Sequence, residues 1–337
     1  MQRTRSLCIL ALAIIGILFQ SRVLLAAPKD VCIFTDKEGK ILQVMGRDAV
    51  PSAQRTSARC FSPKVSGSDS LAAPTEIKLE GAQRSDTFVT AVGPIKLRWP
   101  RSVESAFGRT PQRAVAEAAA AVSRTLKKPG FPAALRSLDI PWQIVFMDEE
   151  LPEQQIPWYL VTNCHPAWMT PVANLYFVAQ RVVAGCGNAT PKRGAVADAT
   201  LATVLLHEMG HVIEFQLLQG LGVEDRRRAE GFASWFEQYA AEQSPLIPRG
   251  SVAREHLTIA RRSLARGDDL FAFQGTAEDY ARAALPFVAL EKRRGVAGIM
   301  KVYELMRGER LDFPSALKKA IGWDRRELVA EIKKIVS

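Results

Sequence analysis

Apolar positions follow a two-residue period in short stretches of the first half of the chain and a helical period through most of the second half. "VCIFTDKEGKILQV" (31–44) is two apolar runs around a polar turn, with Gly39 supplying backbone freedom. It predicts a small β unit at 28–61. Residues 62–85, rich in Ser, Pro and Gly, read as a linker, and 86–337 as one larger domain. There "TFVTAVGPIKLRW" (87–99) and "WQIVFM" (142–147) read as strands, and "ANLYFVAQRVVAGCG" (173–187) as containing another. "TPQRAVAEAAAAVSRTLKK" (110–128) is an Ala-rich helix with Thr110 as N-cap and Pro111 at its first position. The helix around "LLHEMGH" (205–211) takes Asp198 or Thr200 as its cap and ends at Gly220 or Gly222.

From 223 onward the pattern is helical throughout. "EDRRRAEGFASWFEQYAAEQ" (224–243) stops before Pro245. "TAEDYARAALPFVALEKRRG" (276–295) carries Thr276 and Asp279 in capping-box positions, Gly295 as terminator and a bend at Pro286. Strands first and helices afterwards define an α+β fold, with a sheet packed on the "LLHEMGH" helix and a helical C-terminal lobe.

Charge and targeting signals narrow the class. Arg3 and Arg5 precede an apolar run at 7–19, and Ala26 and Ala27 follow it. Residues 1–27 therefore read as a secretory signal peptide, or as a membrane anchor if uncleaved. The expected location is exported, periplasmic or secreted. Loss of Arg3, Arg5 and Arg22 would lower the formal charge from +10 by three. The longest arginine run, Arg226–Arg227–Arg228, lacks interleaved aromatics and reads as a solvated helix edge, so nucleic acid is not an expected partner. Cys32, Cys60, Cys164 and Cys186 would remain after cleavage. An even number in an exported chain predicts two disulfides, most simply Cys32–Cys60 and Cys164–Cys186.

The candidate chemistry lies at His207, Glu208 and His211. Residues four apart on a helix share a face, so both imidazoles approach one point, and zinc accepts imidazole nitrogen readily. Glu208 between them suits a general base. The competing reading is a buried helix with two hydrogen-bonded histidines, which leaves costly polar groups to satisfy. A third ligand separates the two. Glu230 follows His211 with eighteen residues between them, on a helix that a reversal near "GLGVE" brings back. Glu237, two turns further along that face, suits a hydrogen bond to a ligand histidine. The alternative for both glutamates is surface charge. His165 in a loop reads as structural, and His256 on the polar helix "SVAREHLTIARR" reads as exposed, so neither is an expected ligand.

"HEMGH", an eighteen-residue interval and "EGFASWFE" together resemble the gluzincin metallopeptidases, in particular the peptidase MA-like group. The resemblance spans roughly 88–335 and implies a zincin-like domain with a mixed sheet on the active-site helix. It implies one Zn²⁺ held by His207, His211 and Glu230, with Glu208 as base and Glu237 behind a ligand histidine. "DYARAALPFVALEKRRGVAGI" (279–299) is similar to that family's segment beginning with a tyrosine, which nominates Tyr280 for the oxyanion. The G-x-M-E-N segment of the clan's aminopeptidases is missing, which favours an endopeptidase acting on peptide or protein substrates, or an enzyme with a narrow specialised substrate, over a general aminopeptidase. The substrate is expected to pair with "NLYFVAQ" as an edge strand. The rival is a zinc-containing envelope binding or scaffolding protein with little turnover. Residues 31–61 resemble a small domain of exported bacterial proteins in which strand, Asp-x-x-Gly turn and strand recur.

Overall fold

A computed structural model describes residues 31–35, 41–45, 50–56, 59–61, 83–136, 140, 142–147, 166–170, 174–185, 191–218 and 225–337. Residues 1–27, read above as a signal peptide, together with residues 62–82, Cys164, His165 and Cys186, lie outside them. The chain divides into two compact units, 1–72 and 73–337.

The first unit holds β1 (Val31–Thr35), β2 (Ile41–Met45) and β3 (Arg59–Phe61) in an antiparallel sheet of order β2-β1-β3. β1 and β2 are the strands read around the Gly39 turn. Cys32 stands opposite Cys60 in the β1–β3 register. The expectation of disulfides is nevertheless corrected, since no disulfide bond occurs among the described residues. An even cysteine count limits the possible pairings but brings no two sulfurs into bonding geometry.

The second unit is α+β. It opens with β4 (Gln83–Thr90) and β5 (Gly93–Pro100), antiparallel neighbours. The run read as a single strand is thus a hairpin, turned at Ala91 and Val92. Helices α1 (Arg101–Phe107), α2 (Gln112–Leu126) and α3 (Ala133–Arg136) lead to β6 (Trp142–Met147), which lies parallel to β5. A parallel neighbour requires such a crossover, because no tight turn can return the chain in the same direction. Next come β7 (Ala167–Thr170) and β8 (Asn174–Val178), giving a mixed sheet of order β4-β5-β6-β8-β7. Every residue of β8 is buried, as suits an internal strand covered on both faces. "NLYFVAQ" is therefore not an edge: β8 pairs with β6 on one side and β7 on the other, and its last residues begin helix α4 (Ala179–Ala184). The edges of the sheet are β4 and β7, the latter a four-residue segment too short for a clear alternation in the sequence.

The helical lobe contains α5 (Gly194–Leu218), α6 (Arg226–Ala241), α7 (Ser251–Ala265), α8 (Ala277–Glu309), α9 (Phe313–Ile321) and α10 (Arg325–Val336). α5 starts earlier than expected, so Asp198 does not cap it; Asp198 is buried in its second turn and pairs with Arg109 at 3.0 Å. Thr276 and Asp279 form the predicted capping box of α8. Gly295, at φ 66°, is the one residue with non-helical φ/ψ inside α8, so the helix breaks there, while Pro286 lies within its first half. A single apolar core joins the sheet to the lobe through Phe146, Phe177, Leu205, Phe232 and Phe287, and Phe146 stacks on Phe177 at 5.2 Å.

Candidate metal centre

The centre is built on α5. This helix is apolar on nearly every face, and such a helix is driven to the interior. Burial carries its three polar motif residues inward with it. His207 and His211 lie one turn apart with ring centroids 4.9 Å from each other. Glu208 is 7% exposed.

Two glycines let the neighbouring helices come close enough to complete the set. A Cβ on Gly210 would stand 3.1 Å from the Ala233 Cα, so the missing side chain lets α6 lie against α5. A Cβ on Gly231 would stand 2.3 Å from the Ala283 carbonyl oxygen, so α8 in turn approaches α6. Glu230 and Tyr280 arrive at the histidines by these two contacts. Asp225 caps α6 by accepting from the Arg228 amide at 3.0 Å, which fixes where its first turn begins.

Glu230 Oε2 lies 3.2 Å from His207 Nε2 and 3.1 Å from His211 Nε2. All three potential ligand atoms fall within 4.8 Å of one another. Glu237 Oε2 lies 3.0 Å from His207 Nδ1, on the far side of that ring. The Tyr280 hydroxyl donates to Glu230 Oε1 at 3.4 Å, and the Tyr280 ring packs 5.7 Å from His207 and 5.6 Å from Phe273. The structure thus brings together His207, His211, Glu230, Glu237 and Tyr280, with Glu208 close enough to feel the charges of both histidines.

The electrostatics follow from burial and pairing. Burial alone would raise the Glu230 pKa, but His211 and His207 outweigh it and hold the carboxyl well below its ordinary range. Burial pushes Glu237 up as well, yet His256 and His207 bring it down to about 2. Glu208 moves the other way: burial raises its pKa, against a smaller opposing pull from His211 and His207. His207 is depressed by burial, but Glu230 and Glu237, one at each ring nitrogen, lift its pKa well above that of ordinary imidazole. Burial and the Glu230 charge raise Tyr280 far above an ordinary phenol, so it remains a hydrogen-bond donor.

The donor set fits zinc. Two imidazole nitrogens and one carboxylate oxygen converge, and three protein ligands of these types suit a catalytic zinc site. The second nitrogen of His207 is already engaged by a carboxylate, the outer contact that orients a ligand imidazole.

Two readings of the sequence are corrected at this site. The run 226–228 is solvated only at its start: Arg226 is exposed, Arg227 half-buried and Arg228 buried. Arg226 Nε donates to Glu230 Oε1 at 3.5 Å and its guanidinium lies 5.4 Å over the Phe273 ring. Arg227 covers Phe271 at 4.8 Å. Arg228 is buried, 3.5 Å from Glu214, which also accepts from the Tyr303 hydroxyl. This buried group ties the start of α6 to α5 and α8. His256 is not exposed either: its side chain keeps 16% of its surface and stands 3.5 Å from Glu237 Oε1. The polar residues around it in sequence conceal this, because only its own face of α7 turns toward α6.

No protein-family model and no curated protein matches the chain. Among the described residues no helix is long and apolar enough to cross a membrane.

Proposed function

We propose that this protein is a zinc-dependent peptidase of the gluzincin type, exported from the cell, that cleaves peptide or protein substrates internally. The observation that carries the reading is the convergence of His207 Nε2 and His211 Nε2 on Glu230 Oε2, with a buried glutamate next to the first histidine. The interval from "HEMGH" to Glu230 supports the gluzincin class, and the apolar segment at 7–19 supports export. His207, His211 and Glu230 would hold the ion. When bound, zinc supplies Lewis acidity, making water a usable nucleophile near neutral pH and polarising the scissile carbonyl.

The chain's own groups supply the remainder. Glu208 takes a proton from the attacking water and gives it to the departing amine nitrogen; its raised pKa eases the first transfer. Tyr280 donates its hydroxyl hydrogen to the carbonyl oxygen as that oxygen gains charge. β7, which pairs only with β8 among the described residues, offers backbone groups to an extended substrate.

The test is a peptide-library digest with the zinc-loaded protein, run beside Glu208→Gln and Glu230→Ala. The wild type should cleave, Glu208→Gln should keep zinc and lose cleavage, and Glu230→Ala should lose zinc. A blank digest with full zinc in the wild type would move the reading to an envelope binding protein. Undiminished cleavage by Glu208→Gln would remove the assigned base.

A further inference from the structure

We propose that His256 is a positioning residue for the metal centre: acting through Glu237, it fixes the orientation and tautomer of His207. This rests on the metal-site reading above.

Both oxygens of the Glu237 carboxylate are engaged. Oε2 lies 3.0 Å from His207 Nδ1. Oε1 lies 3.5 Å from His256 Nε2. The other nitrogen of His256, Nδ1, lies 3.1 Å from the Gln238 side-chain amide nitrogen. The line runs unbroken from Gln238 through His256 and Glu237 to His207. It lies mostly out of solvent, with side chains of His207, Glu237 and His256 exposed by 14%, 9% and 16%.

Hydrogen-bond direction along this line is dictated by chemistry. An ionised carboxylate can only accept. Each imidazole nitrogen facing Glu237 must therefore carry a hydrogen. For His256 that is Nε2, which leaves Nδ1 as a lone pair, and a lone pair calls for a donor. The Gln238 amide nitrogen is that donor. The opposite tautomer fails at both ends, setting a bare nitrogen against the carboxylate and an N–H against the amide hydrogens. At His207 the same rule puts a hydrogen on Nδ1, so Nε2, 3.2 Å from Glu230 Oε2, is the nitrogen whose lone pair would be left for an ion bound between them. Glu237 and Gln238 are consecutive on α6 and project about 100° apart, which lets them engage the two nitrogens of one ring on α7.

Without the His256 hydrogen, Glu237 Oε1 sits buried with its acceptor unused, and the carboxylate is free to turn, which loosens His207. Partners of this outer kind are commonly worth about 10–100-fold in metal affinity.

The experiment measures zinc affinity by competition with a chromophoric chelator for wild type, His256→Gln and His256→Leu. It is joined by nitrogen-15 NMR of the histidine rings in the wild-type protein, which has only four. The Gln variant keeps an N–H able to reach Glu237 and should bind zinc close to wild type. The Leu variant should bind at least about tenfold more weakly. His256 should carry its hydrogen on Nε2. Equal affinity of Leu and wild type, equal weakening in both variants, or a His256 hydrogen on Nδ1 would each overturn the proposal. The NMR result holds even if a variant fails to fold. A wild type that takes up no zinc overturns the peptidase reading together with this one, whereas zinc-competent wild type with an unaffected Leu variant overturns this one alone.

Discussion

The Ala283 carbonyl oxygen lies where a Gly231 side chain would begin: a Cβ there would be 2.3 Å from it and 3.0 Å from Phe287 Cε2. Backbone cannot yield as a flexible side-chain tip does, so the two helices approach only because residue 231 has no side chain. Gly231 is adjacent to Glu230, and Ala283 is one turn beyond Tyr280. Gly231→Ala should therefore push α8 from α6, cost about 1–3 kcal/mol of stability, and separate the Tyr280 hydroxyl from Glu230. Urea unfolding of the variant measures the first effect. An unchanged midpoint would mean that the lobe accommodates the methyl group and that the glycine does not set the approach.

Tyr280 makes a further prediction. Its ring packs against His207 and Phe273, whereas its hydroxyl reaches Glu230 Oε1 across 3.4 Å. Tyr280→Phe keeps the ring contacts and removes one donor. Zinc content and melting temperature should stay near wild type while kcat falls by up to about 10²-fold, with little change in KM. A loss of zinc instead would make the tyrosine a support for Glu230.

Much of this centre was legible in the sequence because its signals are local or periodic. His207 and His211 share a face by spacing alone, and Glu237 follows Glu230 by two turns. The capping box at Thr276 and the break at Gly295 are written in single residues. What the sequence concealed depends on partners distant along the chain. Asp198 looks like a cap until Arg109 is beside it. Arg228 looks solvated until Glu214 and Tyr303 surround it. His256 sits in a polar stretch, and only the docking of α7 on α6 reveals Glu237 and Gln238 as its neighbours. β7 is four residues long, below the length at which alternation stands out.

Away from the metal centre, Trp235 Nε1 donates to Glu291 Oε2 at 2.7 Å. Burial raises the Glu291 pKa, against smaller opposing effects of the Trp235 hydrogen bond and of Lys128 and Lys292. A folded pKa above the unfolded one means that the native state binds the proton more tightly. This contribution to stability is complete below the unfolded value and is lost as pH rises through the folded value. Glu291→Gln keeps an acceptor for Trp235 and has no charge to desolvate. Relative to the variant, wild type should lose stability as pH rises from about 4.5 toward neutrality. Parallel melting curves of the two proteins across that range would show that Glu291 carries no such linkage.

Removal of the metal offers the broadest check, because three of the four helices around the centre contribute to it: α5 brings two histidines, α6 one glutamate and α8 the tyrosine. An ion that binds only when these helices are assembled stabilises the assembled state by mass action. At a free zinc concentration a hundredfold above its Kd, the gain is about 2.7 kcal/mol. For a unit of this size that corresponds to a rise of roughly 5–10 °C in melting temperature. Chelation should reverse the rise in wild type. Glu230→Ala lacks the carboxylate ligand, so its melting temperature should be the same with zinc or with chelator. Scanning calorimetry of both proteins under both conditions measures this directly. A wild-type melting temperature indifferent to zinc would show that the two imidazoles and the carboxylate satisfy one another without an ion, and Glu230 would then be a structural partner of His207 and His211.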